Sequence, residues 1–196
     1  MAFLAAVQNA LIFVVPMVIY AVFVRWRAGL SAGEIAQRLA LGGGERRDYG
    51  YALLATVPLV VLSAAVTGWT SSFEGSMLAP FLDKPVSATL VFWAFNYGFI
   101  ATGIPEELLF RGLIAGALER RMGFAYANVL QAAIFTLPHL LILFVDVSLW
   151  PLAVLLPMVL GMLAGWLRHR SSSVWPGVLL HALPNMAGAL WVLDWS

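Results

Sequence analysis

The feature that most constrains this chain is a succession of long apolar runs separated by short breaks rich in arginine or glycine. A helix needs about 20 apolar residues to cross the hydrocarbon core of a bilayer. Segments of that length fall near 3–24, 49–69, 87–104 running on into 105–118, 124–145, 149–167 and 174–193. Composition agrees, with 62% of the 196 residues hydrophobic and 11% charged, against about 25% charged in soluble domains. Disorder, a secreted disulfide scaffold and an ordinary cytosolic enzyme are excluded on those figures. The chain has no cysteine, so it offers no disulfide framework, thiolate nucleophile or thiolate metal site. The reading is an all-α polytopic transmembrane bundle of about six spans. It forms a single integral membrane domain over 1–196, with a polar cavity inside the bundle.

Basic residues in short loops mark the cytoplasmic face. Threaded through six crossings, Arg25, Arg27, Arg38, Arg46, Arg47, Arg120, Arg121, Arg168 and Arg170 all fall on one side, and Lys84 falls opposite. Arg111 lies within a span. Both termini are therefore expected outside the cytoplasm, and the first span reads as a retained anchor because Arg25 and Arg27 follow it with no small-residue cleavage site. Trp26, Trp69, Trp150, Trp175, Trp191 and Trp195 near span ends read as an interfacial aromatic belt. The stretch 31–41 opens with a Ser cap and reads as a polar connector with a helical turn or two. The run Gly42 to Gly44 then breaks it from the second span.

An ionisable side chain inside a bilayer costs about 2.5–3.5 kcal/mol on insertion scales, so each one is a candidate for function. Three places qualify. The first, Gly103-Ile104-Pro105-Glu106-Glu107-Leu108-Leu109-Phe110-Arg111, holds two carboxylates and an arginine. Glu107 and Arg111 are four apart, the spacing and order of a favourable helical ion pair. Glu106 points about 100° away and is left free to face a cavity. Pro105 suits a helix start, so the helix is expected to begin again after Gly103.

The second place carries Phe135, Pro138 and His139, and the third His181, Pro184 and Asn185. At about 1.5 Å per residue, Glu106 lies roughly 20 Å from Arg120, His139 roughly 25 Å from Arg121, His181 roughly 15 Å from Arg170 and Asn185 roughly 20 Å. Three helices thus bring polar groups to one level of the membrane. His169, between two arginines, reads as solvated, and Asn96 as an interhelical hydrogen bond. No nucleophile-elbow serine, intramembrane aspartate pair or His-Glu-x-x-His motif is present. A carboxylate, two imidazoles and an amide remain, a set suited to activating water and stabilising an oxyanion.

Glu-Glu-x-x-x-Arg at Glu106, Glu107 and Arg111, Phe-x-x-x-His at Phe135 and His139, and His-x-x-x-Asn at His181 and Asn185 resemble the signature of the CPBP family. That family comprises the CAAX prenyl endopeptidases of the Ras-converting type and the bacterial Abi proteins. The resemblance spans about 87–193 and implies a glutamate-dependent intramembrane endopeptidase. It implies that Glu106, with His139, polarises the attacking water, that His181 and Asn185 donate to the oxyanion, and that Glu107 and Arg111 hold the site. No cofactor is implied. The alternative is a Zn2+ ion on Glu106, His139 and His181. A non-catalytic immunity or scaffold protein and a proton carrier using Glu106 are the other readings. The expected partners are the lipid bilayer and a membrane-associated protein or peptide substrate, not nucleic acid. The depth of the motifs favours bacterial leader peptides or C-terminal sorting tails, in a prokaryotic plasma membrane.

Overall fold

The computed structural model describes residues 2–69 and 78–194, with side chains over 7–65 and 78–194. Helix α1 is Ala2–Ala28, α2 is Ala32–Arg38 and α3 is Arg46–Trp69. A composite helix α4 runs over 88–122. Helix α5 is Phe124–Phe144, α6 is Val147–Ser171, and α7 is Trp175–Trp191. Among the described residues there is no named strand, and the architecture is an all-α membrane bundle. Four helical stretches are long and apolar enough to span a bilayer, Val7–Ala28, Arg46–Ala65, Phe124–Phe144 and Val147–Ser171. The two remaining rods, α4 and α7, carry polar motifs and lie deepest in the bundle.

Helix α7 occupies the centre, packed against α3, α6 and the first half of α4, while α1 covers the outer face of α4 and α5 pairs with α6. Lipid is as apolar as leucine, so close packing rather than escape from water joins such helices, and small residues enable it. A Cβ at Gly98 would lie 2.5 Å from the Ala182 carbonyl, and one at Gly161 would lie 2.9 Å from Ala132 Cβ. Glycine is required at both positions for the helices to touch along their backbones. Phe110, Phe135, Leu160, Leu167 and Leu180 fill the core between them.

Both ends are laced. At the arginine-rich end Val174 N donates to Ala40 O at 2.9 Å, Trp175 Nε1 donates to Leu41 O at 3.1 Å, and Arg170 Nε meets Asp48 Oδ1 at 3.0 Å. At the other end Asp194 N donates to Lys84 O at 2.8 Å. The nine clustered arginines thus sit at one pole and Lys84 at the other. Helix α2 is more definite than a polar connector. Ser31 and Glu34 form a full capping box, and these bonds hold the Glu34 carboxyl below its ordinary range. Trp26, Trp150 and Trp191 are exposed near helix ends. The Trp69 side chain and Trp195 lie outside the described residues.

Candidate active site

Helix α4 does not start afresh at Pro105. The α-helix Ala88–Phe95 continues as a π-helix over Asn96–Gly103, tightens to one α-turn at Ile104–Glu107, and widens again to a π-helix over Leu108–Ala115. Pro105 has no N–H and so leaves a gap in the backbone ladder where the π-helical and α-helical turns meet. Close to that gap, Ala101 O accepts from Asn9 Nδ2 of α1 at 2.8 Å. A side chain from a neighbouring helix thus ties α1 to this junction, and the rod runs on. π-Helical turns are rare and concentrate at functional sites. Here they flank the two glutamates.

Glu107 Oε1 meets Arg111 Nη1 at 2.7 Å, and both side chains are 0% exposed. The same oxygen accepts from His181 Nδ1 at 3.0 Å. His181 Nε2 in turn faces Glu106 Oε2 at 3.8 Å. Four motif residues from two helices therefore form one chain, Arg111 to Glu107 to His181 to Glu106. Because a carboxylate accepts, Nδ1 of His181 carries the proton and Nε2 is the nitrogen turned to Glu106.

Phe135 is the apolar hub. Its ring lies 4.2 Å beneath the Arg111 guanidinium, 5.5 Å from the His181 ring and 4.9 Å from the His139 ring. A cation over an aromatic face is stabilised by the ring quadrupole, more so where water is absent. His139 lies beyond Pro138, where α5 narrows to a 3-10 helix over Leu137–Phe144. Its Nδ1 is 3.0 Å from Phe135 O. A carbonyl only accepts, so Nδ1–H donates and Nε2 keeps its lone pair.

Asn185 stands one turn beyond His181, and its Nδ2 donates to Thr102 Oγ1 at 2.9 Å. Glu106 is 8% exposed and His181 3%, so the site is closed over rather than open to a wide cavity. Among the described residues, no hydrogen bond or ion pair joins His139 to Glu106. The Phe135 ring is the shared neighbour of His139, His181 and Arg111.

Among the described residues, no group of three His, Asp or Glu is arranged to hold an ion. One sequence expectation is corrected here: Asn96 donates to Phe92 O of its own helix at 2.8 Å, not to another helix. His169 is exposed, as expected, and also meets Glu119 Oε1 at 2.5 Å and stacks on Phe124 with ring centroids 4.0 Å apart.

Thr102 and Asn9 belong to none of the three motifs. Thr102 is a hydroxyl one helical turn before Glu106, a spacing that flags it. Asn9 bonds across 92 positions, and nothing local signals it. Gln131, fully buried, donates to Gly161 O at 2.8 Å and clasps α5 to α6. It stands four residues before Phe135 and was equally legible.

Comparison with curated proteins gives no match, and comparison with solved structures gives none. A family model does match, over residues 88–187, described as type II CAAX prenyl endopeptidase Rce1-like. The matched stretch runs from the first turn of α4 into α7 and holds all three motifs. With more than half of its length matched, including each residue of the buried charge chain, this protein belongs to the Rce1-like family of type II CAAX prenyl endopeptidases.

Proposed function

We propose that this integral membrane protein is a glutamate-dependent endopeptidase that hydrolyses a peptide bond of a membrane-associated protein or peptide. The observation that carries the reading is His181 held between Glu107 at 3.0 Å and Glu106 at 3.8 Å, inside an apolar bundle. Isolated ion pairs serve structure, but a histidine that links two carboxylates is an acid–base system. Glu106 is the general base in this reading. It takes a proton from water as the water oxygen bonds to the scissile carbonyl carbon, and His139 Nε2 orients that water. The carbonyl becomes an oxyanion, and His181 and Asn185 donate to it, a good donor contributing about 3 kcal/mol. His181 donates from Nε2 when that nitrogen is protonated, and Glu107 on Nδ1 compensates the charge. The C–N bond then breaks, and the proton held by Glu106 passes to the leaving amine. Arg111 balances Glu107 throughout.

The reaction in this reading uses no cofactor. The zinc alternative is tested by elemental analysis of purified protein, where one tightly held zinc per chain would replace the metal-free reading. The substrate reading follows from depth. The motifs lie roughly 15–25 Å along their helices from the arginine pole, which favours cleavage sites in the outer half of a prokaryotic plasma membrane, as in leader peptides or sorting tails. The deciding experiment compares membrane proteomes of cells carrying wild-type protein or Glu106→Ala and reads the terminal peptides of every protein whose mass shifts. Precursors accumulating in the mutant name the substrate and the cut site. Identical proteomes reject the protease reading in favour of a binding or immunity role.

A further inference from the structure

Thr102 is 4% exposed, and its hydroxyl lies 3.0 Å from both Tyr97 O and Gly98 O, carbonyls of its own π-helical segment. A hydroxyl has one proton, and carbonyls only accept. The proton is therefore directed to that pair of carbonyls, and the oxygen presents a lone pair outward. Asn185 Nδ2 donates to that lone pair at 2.9 Å. This identifies which end of the Asn185 amide is nitrogen. One of its two N–H groups is bound to Thr102, leaving the other N–H and Oδ1 for the site.

The separation of the two residues is set by backbone contact. A Cβ at Gly103 would lie 2.9 Å from Ala182 Cβ, and one at Gly98 would lie 2.5 Å from Ala182 O, so α4 and α7 cannot drift apart without losing that contact. The wider π turn is what lets one hydroxyl reach carbonyls four and five residues back.

We propose that Thr102 is a positioning residue that orients the Asn185 amide so that its second N–H is aimed into the site. The proposal rests on the role given to Asn185 above. Thr102 touches no reacting atom and acts through Asn185 alone.

The test uses the full chain in lipid nanodiscs and a quenched-fluorescent peptide spanning the cut site that the proteome comparison names. Thr102→Val is expected to lower kcat about tenfold, less than the 10²–10³ that follows loss of a donor itself, with KM little changed. Thr102→Ser is expected to restore it. In an Asn185→Ala background Thr102→Val should have no further effect, because the two residues act as one unit. An equal loss in both backgrounds, an unchanged kcat or failure of serine to rescue overturns the proposal. Glu106→Ala is the control for the underlying reading, and cleavage at the wild-type rate there rejects the protease mechanism separately. A second measurement needs no substrate. In 15N-labelled protein the Asn185 side-chain amide protons should exchange with water faster in Thr102→Val than in wild type or Thr102→Ser. Unchanged exchange overturns the proposal whatever the kinetics.

Discussion

Nδ1 of His181 lies 3.0 Å from Oε1 of Glu107, and that one oxygen also meets Arg111 at 2.7 Å. Glu107 is thus shared between the site and the scaffold. Removing its charge by Glu107→Gln leaves Arg111 buried without its counter-charge, and breaking such a pair costs about 3–5 kcal/mol. Thermal unfolding in detergent should register the loss. Replacing both partners, Glu107→Gln with Arg111→Met, should recover part of it, since the double change leaves no unpaired charge buried. A double variant as unstable as the two single losses added together would contradict this account.

Asn9 ties α1 to α4 through Ala101 O, close to Pro105. Asn9→Leu leaves Ala101 O without its donor, with an expected cost of about 1–3 kcal/mol for the unsatisfied group. Amide exchange across 96–107 should quicken in this variant, while α6 stays as protected as before. Protection unchanged across 96–107 would mean that Asn9 is idle.

Gly98 and Gly50 make a matched pair. Gly98→Ala drives a methyl toward Ala182 O at 2.5 Å, whereas a Cβ at Gly50 meets nothing within 4 Å. The first should destabilise by about 1–3 kcal/mol through overpacking. The second should stabilise α3 by up to about 1 kcal/mol, because alanine is the better helix former. Melting temperatures moving in opposite directions bear this out.

The poles of the bundle assign its orientation by a labelling experiment that a chain without cysteine makes simple. Lys84→Cys should react with a membrane-impermeant maleimide in intact cells. Arg121→Cys should react only after the membrane is permeabilised. The reverse pattern inverts the topology.

The sequence reading is strongest where a single helix carries its own geometry. Glu107 and Arg111, Phe135 and His139, and the turn from His181 to Asn185 all follow from a spacing of four, and each is met in the structure. It is weakest where one element corrects another. Around Glu106 the π turns coincide with Pro105, which lacks a donor, with Asn9, which bonds Ala101 O from α1, and with Gly98 and Gly103, which let α7 press in. No local pattern encodes that combination. His181 illustrates the same limit, since spacing sets its face but not that Glu107 would take its Nδ1. Thr102 and Gln131 were legible as lone polar groups in apolar helices.

The 3-10 stretch Leu137–Phe144 that carries His139 buries none of its residues fully, and Leu137, Leu141 and Phe144 are 60%, 67% and 88% exposed. Protein walls hold Glu106, Glu107 and His181, whereas this segment lies at the apolar outer surface of a helix long enough to cross a bilayer. Membrane thickness and fluidity therefore become structural variables for one imidazole, and a chain transferred to a thinner bilayer keeps its carboxylates while its His139 responds to the lipid.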